Sequence, residues 1–518
     1  MRPTLRRGDG PAWPGSELLA ADDGPSGSFL NQDNQSALDR ELVTGIAWTA
    51  VLRWSAQIIS WIATAVAARL LVPGDYGIMS MAMLAVGLVR MVDDIGLDAV
   101  LVQDRGIVGD SQARLAGLAI MIGASASALM LLLAQPIAAF FREPEVAGAV
   151  GVLGALTLIE ALQVIPRAGL QRALQYRRLA WAQFIQVVAT QSVLVTGAYL
   201  GWHHWALVSS TLAGACAVTA LLIAWHPYAV RWPRNLTQLA MPLLQGWRIL
   251  ASRVAWYVYS SADQTIVGRL LGKDALGAYS FATTFSTTIS QEISSVVIRV
   301  VPGVFSSVQD SRDELRRYFL VLTELLAYLT LPVSFGMAVT SDLVVRVVLG
   351  PQWDAVIVPL QLLCFYAAFF SCQVLNAQVL LWTGQFRANM WLNALAAVVL
   401  PVAFYIGAQR GLEGVAWSWV IAFPLANVPA FMIAFRTIRI GLGAWFDAIW
   451  PALAACLVMS GAVLALRGAL PEAMPAPMQA AFSVAAGGLA YAAVLWWFFR
   501  WRVLAVVDFL RLVRSRSA

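Results

Sequence analysis

Charge is what this sequence most lacks. Only 12% of its 518 residues are Asp, Glu, Lys or Arg, and Lys273 is the sole lysine. A soluble protein carries about 25% charged residues, so the deficit excludes an ordinary water-soluble fold. Histidine is scarce as well: His203, His204 and His226 all sit at the ends of apolar runs. Four cysteines (Cys216, Cys364, Cys372, Cys456) lie inside apolar runs without metal-ligand spacing. That pattern suggests no disulfide framework and no metal, and reads as small core residues. There is no Walker A loop, no HExxH helix and no nucleophile elbow with its triad, so ATP is not the direct energy source and no soluble catalytic motif or cofactor is implied. The alternation of a membrane β-barrel is missing, and residues 1–40 lack the apolar core of a signal peptide. No connection between apolar runs exceeds about 20 residues. Membrane glycosyltransferases, ligases and polymerases carry their chemistry on larger extracytoplasmic loops, so an enzyme is disfavoured.

What remains is lipid-soluble. Apolar residues make up 59% of the chain and the mean hydropathy is +0.70. Runs of roughly 20 or more apolar residues, each long enough to cross a bilayer, recur along nearly the whole length. Backbone groups in lipid must be satisfied within their own segment, so these runs are expected to be helices. The expectation is an all-α polytopic membrane protein. The net charge of +6 comes from arginines scattered at helix ends and gives no reason to expect nucleic-acid binding.

About fourteen spans are expected, near residues 44–71, 76–102, 115–140, 146–167, 179–201, 203–226, 246–271, 275–303, 318–340, 356–382, 387–408, 412–435, 444–467 and 476–499. Connections after even spans are rich in arginine: Arg105 and Arg114; Arg172, Arg177 and Arg178; Arg231 and Arg234; Arg312, Arg316 and Arg317; Arg387; Arg436 and Arg439. Those after odd spans carry an arginine matched by an acid, as in Arg142 with Glu143 and Glu145, Arg410 with Glu413, and Arg467 with Glu472. Arginine excess marks the cytoplasmic side. The alternation therefore expects both termini in the cytoplasm, and an odd count breaks it. Residues 1–40, polar and rich in Gly, Pro and Asp, read as a flexible cytoplasmic tail.

One stretch is copied. In "ARLLVPGDYGIMSMA", Arg69, Leu70, Leu71, Gly77, Ser80 and Ala82 recur 200 residues later as Arg269, Leu270, Leu271, Gly277, Ser280 and Ala282. An even number of spans separates the copies, so two parallel, pseudo-symmetric six-helix lobes are expected, with substrate bound between them. The divisions are 41–228 (spans 1–6), 229–440 (spans 7–12) and 441–518 (two extra spans and a short basic tail). Pro73, Gly74 and Asp75 read as the turn between spans 1 and 2, and Gly77 as a site of close packing.

The repeat also aligns polar residues within the spans. Span 1 carries Arg53, Gln57, Ser60 and Thr64; span 7 carries Arg253, Tyr257, Ser260 and Gln264. Steps of three and four place each set on one helix face. An arginine at the bilayer centre costs about 2.5 kcal/mol or more. Each stripe is therefore expected on a wet cavity, with Arg53 facing Arg253; snorkelling to the nearby helix ends is the alternative. Guanidinium suits bidentate phosphate recognition, so an anionic or pyrophosphate-bearing substrate follows. Further ionisable residues at membrane depth are Arg90, Asp93, Asp94, Glu160, Arg167, Asp263, Glu292, Arg299 and Glu324. Of these, Arg90, Asp93, Asp94, Glu160, Asp263 and Glu292 are candidates for ion coupling or gating. Arg90 and Asp94, at i,i+4, equally read as a self-neutralising pair. Asp263 reads as a partner for Gln264 or a helix end. Glu160 has no local partner four residues away and is the better titrating candidate.

The stretch "AARLLVPGDYGIMSMAMLAVGLVRMVDDIGLDAVLVQ" resembles the span 1–2 signature of bacterial polysaccharide transporters, the Wzx-type oligosaccharide flippases. The matching elements are Arg69 to Leu71, Pro73 to Gly77 and Asp94 to Leu97. In the second half, Asp263, Gly268 to Gly272 and Leu276 to Tyr279 resemble the same family. The resemblance covers roughly residues 40–440. It implies the multidrug/oligosaccharide-lipid/polysaccharide fold, with two lobes in a V. It also implies a substrate: an oligosaccharide on undecaprenyl pyrophosphate, moved across the bacterial inner membrane by alternating access. Membrane lipids, and a polysaccharide polymerase or export machinery, are the partners it implies; the last two spans lie outside the repeat, and an extra helix pair that accommodates the lipid tail in the related lipid II flippases implies a similar role for them. A drug/cation antiporter of the same fold is the alternative, disfavoured by opposed arginines; a lipid II flippase is another. A passive membrane subunit would waste the paired polar stripes.

Overall fold

The computed structural model describes Trp48, residues 51–93, Leu101, 109–232, 256–308 except 259, 311–471, 474–506 and Asp508. Side chains of 92, 93, 296, 299, 300, 302–304 and 306–308 lie outside that description. The described residues form helices and no strand. Eleven helices are long and apolar enough to cross a membrane. In chain order the helices are α1 (Val51–Leu70), α2 (Pro73–Asp93), α3 (Asp110–Phe141), α4–α6 (Glu145–Leu153, Ala155–Ala161, Val164–Arg172), α7 (Tyr176–Tyr199) and α8 (His204–Trp225). The second half holds α9 (Ala262–Leu271), α10 (Lys273–Val308), α11 (Arg312–Val344), α12 (Ile357–Trp382), α13 (Phe386–Ala408) and α14 (Gly411–Ile438). Two more follow, α15 (Leu442–Ala469) and α16 (Ala476–Phe498). Among the described residues each expected span overlaps at least one helix, but α2, α9 and α10 are not among the eleven, so the count of fourteen stays an expectation.

Local sequence explains where helices start and break. Pro73, Gly74 and Asp75 are not a turn but the first turn of α2; the chain reverses at Leu71 and Val72 alone. Proline fits the first helical position because its missing N–H has no helical partner there. The Asp75 carboxylate reaches back to accept from the Val72 N–H at 3.1 Å, half of a capping box. The expected fourth span is three pieces, α4–α6. Pro166 has no N–H to offer the Leu162 carbonyl, and the helix parts at Leu162–Gln163. Tyr228, beyond α8, donates its hydroxyl to that carbonyl at 2.9 Å; burial of this phenol raises its pKa.

α1 shows how one helix serves lipid and protein together. Val51, Trp54, Ile58, Ile62, Val66 and Leu70 form an exposed apolar stripe, while Ala56, Ala63, Ala67 and Ala68 are buried opposite. The cysteines divide likewise: Cys364, Cys372 and Cys456 are buried as expected, but Cys216 is exposed on α8, so it is no core residue.

The copied stretch packs against its own copy. Ser80 and Ser280 hydroxyls meet at 2.9 Å. A Cβ built on Gly77 falls 1.9 Å from the Lys273 carbonyl oxygen, and one on Gly277 falls 1.8 Å from that of Pro73. Each contact is the other moved by 200 residues, so a pseudo-two-fold axis runs between α2 and α10. Backbone touches backbone there because both glycines lack a Cβ. Tyr76, Phe281 and Trp353 pack edge to face beside this seam, with ring centroids 4.3–5.5 Å apart. Trp353 donates its indole N–H to the Ala68 carbonyl at 2.8 Å, and Gln352 to the same oxygen at 3.1 Å. The open carbonyls at the end of α1 are thus satisfied by the second half of the chain. Arg69 returns the contact by donating to the carbonyls of Val347 and Val348. Lys273 pairs with Glu143 and Glu145 alongside.

Candidate functional site

The polar stripe of α1 faces inward, away from the lipid stripe. Arg53, Gln57 and Ser60 line a cavity of about 170 Å³ with Gln183 and Phe184 of α7. Gln191 of α7 donates to the Ser60 hydroxyl at 3.1 Å. Helical steps of four and three from Arg53 to Gln57 to Ser60 are what bring these groups to one wall.

The Arg53 guanidinium binds the Glu292 carboxylate of α10 at 3.0 Å, an ion pair between the two halves. Arg53 lies 17 residues before Leu70 and Glu292 lies 19 beyond Lys273, which is roughly 26–28 Å along each helix. α10 therefore meets the first half at two levels, by backbone packing on α2 at its Lys273 end and by an ion pair to the Arg53 end of α1 midway along its length. Both side chains remain more than half exposed, 57% and 59%, so another anion can reach the guanidinium without prior unfolding.

The other candidates scatter. Arg253, expected to face Arg53, lies outside the described residues, as does Asp94; the side chains of Asp93 and Arg299 do too. Tyr257 donates to the Leu84 carbonyl of α2 at 3.0 Å, fitting against Gly87, where a Cβ would lie 2.1 Å from its hydroxyl. Ser260 turns its hydroxyl to the Tyr257 carbonyl at 3.1 Å, and Gln264 is half-buried. The span-7 set thus meets the first half through Tyr257.

Among the described residues, Arg90 pairs across helices. Its guanidinium binds Glu160 of α5, and Arg167 holds Gln163 at 2.8 Å nearby. Glu160, which has no partner within its own helix, finds one 70 residues away. Asp263 is buried in the first turn of α9, where its carboxylate meets the backbone N–H groups of that turn, its own and Gln264's, as a helix-end role requires. It accepts from the Tyr279 hydroxyl at 2.8 Å and the Trp419 indole at 3.0 Å, while its Oδ1 has no side-chain partner. Glu324 accepts from Tyr328 at 2.7 Å. Gln183, Gln191, Tyr279 and Trp419 were missed by sequence reasoning, since each sits on a helix distant in sequence from its partner. The signal for Ser80–Ser280 was present in the repeat.

A family model for polysaccharide biosynthesis proteins matches residues 66–358, more than half of the chain. The chain belongs to that family. It is similar to the teichuronic acid biosynthesis protein TuaB of Bacillus subtilis (strain 168), 24% identical over 464 residues, covering 88% of this chain and 95% of the relative. It is also similar to the lipopolysaccharide biosynthesis protein WzxC of Escherichia coli (strain K12), 22% identical over 411 residues, covering 78% and 82%. Among solved structures it shares its fold with the lipid II flippase MurJ in an inward closed conformation. There the TM-score is 0.68 at 11% identity, with 87% of this chain and 98% of that one covered. The family resemblance seen from Ala67 to Gln103 is borne out, and so is the all-α polytopic fold. This member of the polysaccharide biosynthesis family is a multi-pass membrane protein, and the relatives named are biosynthesis proteins of teichuronic acid and lipopolysaccharide.

Proposed function

We propose that this protein moves an oligosaccharide carried on undecaprenyl pyrophosphate from the cytoplasmic to the periplasmic leaflet of the bacterial inner membrane, without chemical conversion. The lobes are residues 41–228 and 229–440, with 441–518 carrying the extra helix pair. Both termini lie in the cytoplasm, as the arginine alternation requires, which puts the Pro73 seam at the periplasmic side. A polymerase receives the product.

The observation that carries this reading is the inter-half pair of Arg53 and Glu292 on a polar wall. A guanidinium held by one carboxylate is already arranged for an oxyanion. A pyrophosphate offers more charge and bidentate geometry, and so displaces Glu292. Arg253 supplies a second guanidinium from the opposite lobe, while Gln57, Tyr257, Ser260 and Gln264 line the path. The polyprenyl tail stays in lipid. Arg90, Asp93, Asp94, Glu160, Asp263 and Glu292 are the groups through which an ion gradient couples.

The test is export in cells carrying R53A with R253A. Surface polysaccharide should vanish and lipid-linked units should accumulate facing the cytoplasm. Undiminished export by a well-folded double variant would remove the arginines from the mechanism.

A further inference from the structure

A second site lies on the outer flank of the second half, away from α1, α2 and α10. Between α14 and the start of α15 runs an open groove of about 740 Å³, floored by Phe431, Phe435 and Trp445 and walled by Leu425, Val428 and Met432. Leu425, Val428 and Met432 are 64%, 46% and 49% exposed, so the groove opens to the lipid side. Arg436 and Arg439 stand at one end of it. Both are exposed, and neither has a carboxylate partner among the described residues.

The geometry of Arg439 adds a second line. It closes α14 in the left-handed region, φ 52° and ψ 45°, while the Ile440 N–H bonds the Phe435 carbonyl at 2.9 Å. Glycine is the default for that position, and a side chain there is strained. With this backbone turn Arg439 lines the mouth of the groove, about one helical turn from Arg436.

Length selects the occupant. From Pro424 to Arg436 is 12 residues of helix, about 18 Å. One leaflet of hydrocarbon is about 15 Å deep. The groove therefore takes a chain confined to a single leaflet, and an undecaprenyl tail would overrun it. Basic pockets between membrane helices on the cytoplasmic side suit lipid phosphates.

We propose that the groove holds an acyl chain of an anionic diacyl phospholipid, with its phosphate between Arg436 and Arg439. The lipid braces α15 against α14, where the extra helix pair joins the repeat. The assignment is independent of the transported substrate.

Native mass spectrometry of the purified full-length protein tests it, with phosphatidylglycerol and phosphatidylcholine of matched chains. Phosphatidylglycerol should bind preferentially, and R436Q/R439Q should weaken it about tenfold. R439G relieves the strained backbone, so it should fold at least as well while still losing affinity; that separates lipid binding from stability. A photoreactive acyl chain should label the Leu425–Met432 face. Equal binding of the two lipids, unchanged binding by R436Q/R439Q, labelling spread evenly over other helices, or displacement by undecaprenyl phosphate would each overturn the proposal.

Discussion

Gly277→Ala should open the seam between α2 and α10. The new methyl carbon would lie 1.8 Å from the Pro73 carbonyl oxygen, 2.7 Å from its carbon and 3.0 Å from the Gly77 nitrogen. All three are backbone atoms, so no side chain can turn aside. Ordinary contact begins at 3.4 Å, and the helices must part by 3.4 − 1.8 = 1.6 Å. The Ser80–Ser280 hydrogen bond, now 2.9 Å, would stretch to 2.9 + 1.6 = 4.5 Å and cease to exist. Overpacking costs about 1–3 kcal/mol and the lost bond about 1 kcal/mol more. The closed seam should therefore lose roughly 30- to 1,000-fold in population against states in which the halves have separated.

Disulfide trapping reads this directly. With Cys216 replaced by Ser, the pair S80C/S280C places two thiols where hydroxyls now touch, near the approach a disulfide needs. Cross-linking should be fast in that background. Adding G277A should slow it roughly 5- to 150-fold, from the steric part of 1–3 kcal/mol alone, because the serine hydrogen bond is already gone. G77A should act alike, since its Cβ meets the Lys273 carbonyl at 1.9 Å. Cross-linking as fast in G277A as in its parent would refute the reasoning, for the backbone contact would then not be what closes this end.

Glu292→Ala should leave Arg53 without its counter-charge and bind inorganic pyrophosphate several-fold more tightly by calorimetry, where R53A binds none; equal affinity in all three chains would exclude Arg53 as the anion site. Asp263→Leu should cost roughly 2–4 kcal/mol in thermal denaturation, because the Tyr279 and Trp419 donors lose their acceptor in a buried setting. Asp263→Asn keeps an acceptor and should fold; if it folds yet fails to export, the carboxylate serves coupling, and if it exports normally, Asp263 is structural. The swap R90E/E160R should recover stability lost in either single change by about 1 kcal/mol or more, as double-mutant coupling between contacting charges predicts. Absence of recovery would mean the pair is incidental.

Much of the fold was legible because lipid leaves few choices. Apolar runs of spanning length must be helices, and six repeated identities pointed to two related halves, though not to the α2–α10 seam at which the copies meet. Boundaries were less legible: Pro73 at a first helical position looks, in sequence, like Pro73 in a turn. Only the Asp75 carboxylate on the Val72 N–H decides between them. The break in the fourth span could be expected from Pro166, but its repair by Tyr228 could not, being 66 residues away. Partners on other helices were the least legible. Reasoning at i,i+4 sees only partners on the same helix, whereas Arg53, Arg90 and Asp263 find theirs 239, 70 and 156 residues off. Spacing told which face of α1 was polar; it was silent on what stood opposite.

Two of the ties between the halves differ in kind, and that difference suits alternating access. The Pro73 seam combines backbone contact, capped carbonyls and edge-to-face aromatics, all short-ranged and lost together once the helices part. The Arg53–Glu292 pair is a single, half-exposed contact, and pairs of that sort contribute on the order of 1 kcal/mol. A ligand that prefers Arg53 to be free of Glu292 thus meets little resistance at its own end. To break the seam it must supply several kcal/mol of differential binding, which one guanidinium on a pyrophosphate does not provide alone. A second cation from the opposite half, or an ion taken up at a carboxylate such as Glu160 or Asp263, is needed to make up the difference. Under the proposed function, the unequal strength of the two ends is what an ion gradient would have to make up, and export measured after collapsing the gradient checks it: full export would leave the second cation as the source.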